Sequence, residues 1–186
     1  EERCAGGPVL FFGFTFMVWR HWVQEALRAG HRFSFPEGIL IHGGGWKKLE
    51  EERVDNAEFK RALKERFGIP RVVNYYGMVE QAGSIFVECP EGHLHAPSFA
   101  EVLVRDARDL APLAHGCEGL IQVLSVVPRS YPGHSLLTED VGVIEGEDDC
   151  PSGRRGKYFR VIGRAPRAEL RGCSDTHASS WSAHHG

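Results

Sequence analysis

No stretch of this sequence is long and apolar enough to cross a bilayer as a helix. The most apolar segment, Gly6 to Trp19 ("GGPVLFFGFTFMVW"), is interrupted by glycine. It falls short of the ~20 residues a span needs and reads as a buried strand running into a helix start. A surplus of charge is also missing. The 22 Lys and Arg against 25 Asp and Glu leave a net charge of -3, which gives no general attraction to nucleic acid or anionic membranes. There is no GxxxxGK(S/T) and no GxGxxG, so neither a P-loop nor a dinucleotide fingerprint is present. Internal repeats and low-complexity linkers are absent too, and no signal peptide is expected. The five cysteines, Cys4, Cys89, Cys117, Cys150 and Cys173, are odd in number and widely spread. They read as reduced thiols of a cytoplasmic protein. An initiator methionine is lacking: the sequence opens on "EERCAGG", as if entered partway through a longer protein, and a fragment is expected.

What is present suits a globular domain of 186 residues, long enough to bury ~70% of its unfolded surface. Gly7 to Phe14 is a strand candidate. The spacing of Val18, Trp22, Ala26 and Ala29 predicts a helix face, stopped near Gly30. Gly38 to Trp46 reads as a strand entering a glycine turn. Asn56 to Phe67 is a charged helix ended by Gly68, and "PRVVNYYG" is the next strand. Strand, helix, strand, helix, strand is the pattern of an α/β layer, expected over residues 1–83. From about Ser84 short strands broken by turn residues predict a β-rich subdomain over 84–160. The remainder, 161–186, is read as a hinge region and a disordered tail.

Several clusters could carry chemistry. "HGGGW" (His42 to Trp46) follows a strand. Its backbone N–H groups could meet a carboxylate or phosphate, or it could be only a tight turn. "NYYGMVEQ" (Asn74 to Gln81) also follows a strand, and ligands of open α/β sheets bind at such strand ends. Its rings could stack a base and Glu80 could hold a metal ion, or Tyr75 and Tyr76 could be core aromatics and Glu80 a surface charge. "LLTEDVG" places Asp140 where it could accept from ribose hydroxyls, although such a motif is more often a loop with a turn-forming Asp. Arg164 follows a strand and Gly163 and could grip a phosphate. Cys89, His93 and His95 in "ECPEGHLH", with Cys150 in "DDCPSG", are zinc-ligand types. Cys89, His95 and Cys150 give three ligands, and His93 or Cys117 would be the fourth. Cys173, beside Arg171 and Gly172, could be a nucleophile of lowered pKa or an incidental thiol.

In order, "HGGGWK", "NYYGMVEQ", "LLTEDVG" and "GRAPRAELRGCSDT" resemble the LuxE-type acyl-protein synthetases of the adenylate-forming ligase superfamily, over roughly Gly38 to Thr176. The resemblance implies the C-terminal portion of an adenylate-forming core, in which Tyr75, Tyr76 and Gly77 meet the adenine, Tyr76 by stacking. Glu80 would bind Mg²⁺ on ATP and Asp140 the ribose hydroxyls. Arg164 would hold ribose or phosphate, and Gly43, Gly44 and Gly45 would line the acyl-adenylate pocket. Cys173 would receive the acyl group as a thioester. A carboxylic acid, most simply a fatty acid, would be the substrate and a fatty-acid reductase the partner. The "SSGTTG"-like phosphate loop, the Asp that often follows the "GR" pair, and the lid domain with its lysine are not in this sequence. Phenylacetate–CoA ligase relatives often place a C-x-C pair where Ser152 here replaces the second cysteine. An aryl- or acyl-CoA ligase, and a non-catalytic nucleotide- or zinc-binding module, are the alternative expectations.

Overall fold

A computed structural model describes residues 7–46 and 52–165. The chain opens with strand β1 (Val9–Phe14) and turns directly into a helix, α1. Its three consecutive parts are Thr15–Met17, a π-helical stretch Val18–Val23, and Gln24–Arg28. Strand β2 (Gly38–Gly43), helix α2 (Asn56–Phe67) and strand β3 (Arg71–Tyr76) follow. A single 3₁₀ turn, Val79–Gln81, leads to the short strands β4 (Phe86–Glu88) and β5 (Leu94–His95). Strands β6 (Ala100–Arg105), β7 (Glu118–Ser125), β8 (Ser135–Glu147) and β9 (Lys157–Arg164) complete the described residues. All nine strands hydrogen-bond in one sheet, in the order β1-β2-β3-β4-β5-β9-β8-β7-β6. The pairs β1–β2 and β2–β3 are parallel, and every pair beyond β3 is antiparallel. The mixed α/β class expected from the sequence is therefore present.

Local signals explain the helices. Asp55 caps α2 by accepting from the Glu58 N–H at 2.7 Å, and Gly68 ends it at φ 65°. That left-handed turn is cheap only for glycine. Phe59, Leu63 and Phe67 repeat every four residues and are all buried. They join Val18, Trp19, Val23, Ala26, Leu40, Trp46 and Ile69 in a core between both helices and the parallel strands. The buried stripe of α1 departs from the expected one. Val18 and Ala26 are buried as expected, but Trp19 and Val23 are buried with them, Trp22 is only partly buried, and Ala29 is exposed. The π-helical stretch shifts the i→i+4 stripe by a residue, because each of its hydrogen bonds spans five.

A second core lies within the antiparallel strands: Phe86, Leu94, Val102, Val104, Ile121, Val123, Ile144 and Phe159. The i, i+2 pairs Val102/Val104 and Ile121/Val123 are the alternation of half-buried strands. The "LLTED" segment, whose bland reading was a loop, lies inside β8, where Leu136 and Leu137 pair with β7 and Asp140 pairs with β9.

Candidate active site

The glycine turn and the tyrosine pair lie side by side because β2 and β3 are parallel and in register, with His42 opposite Asn74 and Gly43 opposite Tyr75. Gly43 is a glycine by necessity. A Cβ there would sit 2.7 Å from Tyr75 Cε1. Tyr75 also stacks on Phe12, with ring centroids 5.8 Å apart. Gly44 takes φ 79°, and Gly45 has open space around it. The turn is fastened from behind. Thr15 Oγ1 lies 2.9 Å from His42 Nδ1 and donates to the Gly43 carbonyl at 3.2 Å. His42 is buried against the Phe59 ring. Burial lowers its pKa to about 4, although Glu88 pulls the other way.

Tyr76 points to the opposite face of the sheet. Its ring packs on Phe86 and Phe159, both at 6.0 Å, and its hydroxyl donates to Asp140 Oδ2 at 2.7 Å. Burial, reinforced by the Asp140 charge, pushes the phenol pKa well up, so the group stays a donor. Asp140 stands opposite Arg164 in the β8–β9 ladder. Arg164 Nε lies 3.9 Å from Asp140 Oδ1, and its Nη2 holds Glu139. Thr138 steadies the segment, donating to the Ile121 carbonyl at 2.8 Å and accepting from the Asp140 N–H at 3.1 Å. Three predicted residues, Tyr76, Asp140 and Arg164, thus meet at one place although they come from three strands. Glu80 is exposed on its 3₁₀ turn, and Gly77 is exposed beside it. Cys173 lies outside the described residues.

Cys89, His95 and Cys150 also come together, all buried, with their ligand atoms within 4.8 Å of one another. The two sulfurs are 3.9 Å apart, and His93 Nδ1 is 3.5 Å from Cys150 Sγ. Zn–S and Zn–N bonds of ordinary length in a tetrahedron give S···S and S···N edges of about 3.8 and 3.6 Å. Both ring nitrogens of His95 are buried without a hydrogen-bond partner, an expensive state that a bound cation would relieve. Burial would raise the Cys89 thiol pKa, but hydrogen bonds from the His93 backbone, Ser152, the Glu91 backbone and Cys150 outweigh it and bring it down. The donor set and spacings fit zinc. Cys117 is exposed and not part of this group.

Besides Thr15, two polar residues escaped the sequence reading. Glu88 is buried in β4. Its Oε2 accepts the Asn74 N–H at 2.9 Å, and its Oε1 receives Lys60 Nζ at 3.0 Å and Asn56 Nδ2. It fastens the head of the "NYYG" segment to α2. Gln81, next to Glu80, is also buried. The only signal for either was a long polar side chain flanked by residues of a buried strand or turn.

The family model for "Acyl-protein synthetase, LuxE" matches residues 2–181. A long-chain-fatty-acid–luciferin-component ligase of Vibrio harveyi is 28% identical over 146 residues, which are 77% of this chain and 38% of that protein. Its namesake in Aliivibrio fischeri is 25% identical over 179 residues, 94% of this chain and 44% of that protein. The chain thus spans about two fifths of the length of these curated relatives. Among solved structures, a 2-hydroxyisobutyryl-CoA ligase in complex with its acyl-AMP and CoA superposes with TM-score 0.63 and 19% identity, covering 84% of this chain and 36% of that one. An ATP-bound MatB of Rhodopseudomonas palustris gives 0.57 and 17%, covering 88% and 32%. At such identities the likeness establishes the fold.

Proposed function

We propose, on the premise that this chain belongs to the acyl-protein synthetase (LuxE) family, that it is part of an ATP-dependent ligase. The ligase activates a fatty acid as its acyl-adenylate and passes the acyl group to a cysteine thiol. The observation that carries this reading is the convergence of Tyr76, Asp140 and Arg164, with the hydroxyl–carboxylate contact at 2.7 Å. A carboxylate has about four lone-pair sites. Tyr76 uses one, and the others remain for a vicinal diol such as ribose. The Tyr76 ring, on the same face of the sheet as Asp140, is the aromatic surface for adenine, and Arg164 supplies positive charge for phosphate. The Gly43–Gly45 turn, at the end of β2, lets a ligand come close to backbone N–H groups.

A carboxylate is a poor electrophile. Its attack on the ATP α-phosphate releases pyrophosphate and leaves AMP as a good leaving group, which a thiolate then displaces to give a thioester. Mg²⁺ accompanying ATP would neutralise charge that builds on the phosphates, and Glu80 would be the residue that holds it. Cys173 is the acyl acceptor. Cys89, His95 and Cys150, with His93 alongside, hold a structural zinc. The downstream partner is a reductase that takes the acyl group. The free buried thiols suit the reducing cytoplasm.

The test uses the protein as its gene encodes it, supplied with ATP, Mg²⁺ and radiolabelled fatty acid. A hydroxylamine-labile label should form on the protein. Cys173→Ser should abolish the label and leave ATP–pyrophosphate exchange intact. Exchange with no protein label, but with acyl-CoA formed on adding CoA, would make it a CoA ligase. Neither exchange nor label would leave a non-catalytic nucleotide- or zinc-binding module.

A further inference from the structure

Glu80 sits on a single 3₁₀ turn, Val79–Gln81, too short to fix the direction of an exposed side chain by itself. The structure shows what holds that turn. Gln81 is almost completely buried, and its Nε2 donates to the Gly133 carbonyl at 2.9 Å and the Val123 carbonyl at 3.4 Å. Both partners are acceptors, so the amide must face them with its NH₂ group. The contacts reach 52 and 42 residues along the chain. Two more contacts tie the same segment to the same place. The Ala82 N–H donates to the Tyr131 hydroxyl at 3.2 Å, and Ser84 Oγ meets Ser125 Oγ at 2.6 Å. Gly133 allows the approach: a Cβ on it would lie 2.9 Å from the Glu80 carbonyl oxygen and 2.3 Å from the Tyr131 ring.

We infer that Gln81 is a positioning residue for Glu80. It clamps the metal-bearing turn onto the β7–β8 connection, so that the carboxylate meets Mg²⁺·ATP already oriented. This rests on the reading of Glu80 as the Mg²⁺ ligand. The chemistry supports a role beyond packing. A residue needed only to fill space would be cheaper as leucine or methionine, whereas the amide here donates to two backbone carbonyls of the β7–β8 region. It also leaves its own Oε1 buried without a partner.

The experiment measures ATP–pyrophosphate exchange against Mg²⁺ concentration in the gene-length protein, with melting temperatures as the folding control. The variants are Gln81→Met, Glu80→Gln, the double mutant, and Tyr131→Phe. Gln81→Met should raise the Mg²⁺ concentration for half-maximal rate on the order of tenfold, as expected when a catalytic ligand is slightly misplaced. In the Glu80→Gln background the same change should have no further effect on it, because both act through one ligand. Tyr131→Phe, a milder loosening of the same clamp, should move the same quantity in the same direction, and it decides the matter if Gln81→Met fails to fold. An unchanged Mg²⁺ dependence in Gln81→Met, or one fully additive with Glu80→Gln, would overturn the inference. If Glu80→Gln alone leaves Mg²⁺ dependence unaltered, the reading of Glu80 itself fails, and this inference fails with it.

Discussion

Acidification should loosen this protein through His42, and by an amount that can be worked out. The ring is buried between Thr15 and Phe59, and burial lowers its pKa from 6.5 to about 4. Between these values the unfolded chain binds a proton that the folded chain refuses. Stability therefore rises with pH across that window and falls as pH drops through it. One pKa unit is 1.36 kcal/mol, so going from pH 7 to pH 5 should remove about 2 kcal/mol through this group alone. His95, whose pKa burial also lowers, acts with the same sign. The comparison must therefore be between wild type and His42→Asn, each unfolded in urea at pH 7, 6 and 5 at fixed ionic strength. The stability difference between the two should shrink by about 2 kcal/mol over that range. An imidazole titrating near its ordinary value, or two stability curves running parallel from pH 7 to pH 5, would refute the reasoning.

Glu88→Ala should cost roughly 2–4 kcal/mol in urea unfolding, because it strips a buried N–H, that of Asn74, of its acceptor and separates the carboxylate from Lys60. A loss below ~0.5 kcal/mol would mean water replaces the carboxylate at no cost. Purified protein should carry close to one zinc per chain by elemental analysis, and Cys150→Ser should reduce it several-fold. Undiminished zinc in that variant would place the metal elsewhere. Gly43→Ala should damage the nucleotide site more than the fold's average surface change, since its Cβ meets the Tyr75 ring at 2.7 Å. Weakened ATP binding measured by calorimetry checks it.

The helix α2 was legible because its signals are local, a charged run ended by a terminal glycine, and the structure adds the Asp55 cap and the buried four-residue repeat. The strand β8 was less so. Thr138, Glu139 and Asp140 break the alternation, and the segment is held extended by Leu136 and Leu137 pairing with β7 and by Asp140 pairing with β9. The shift of the buried face of α1 came from backbone hydrogen bonding that side-chain spacing does not encode. At the site, Tyr76, Asp140 and Arg164 could be picked out by residue type and by the family pattern, yet their contacts could not. The Cys89, His95 and Cys150 grouping was readable because few other chemistries use those side chains together. Thr15, Gln81 and Glu88 stayed hidden. Each is one polar residue whose meaning lies in a partner 14 to 52 residues away.

The sheet has a narrow waist. β5 contributes only two residues, Leu94 and His95, yet it is the bridge between β4 and β9 and so between the parallel and antiparallel ends. The second apolar core runs across it, through Phe86 of β4, Leu94 of β5 and Phe159 of β9. Few backbone hydrogen bonds cross the sheet there, and the packing of Tyr76, Phe86 and Phe159 carries the rest of the coupling between the two ends. Cys89, His95 and Cys150 stand at this waist, one after β4, one in β5 and one between β8 and β9. A tie among these three side chains would therefore act as a staple across the part of the sheet that its own backbone ladder holds least.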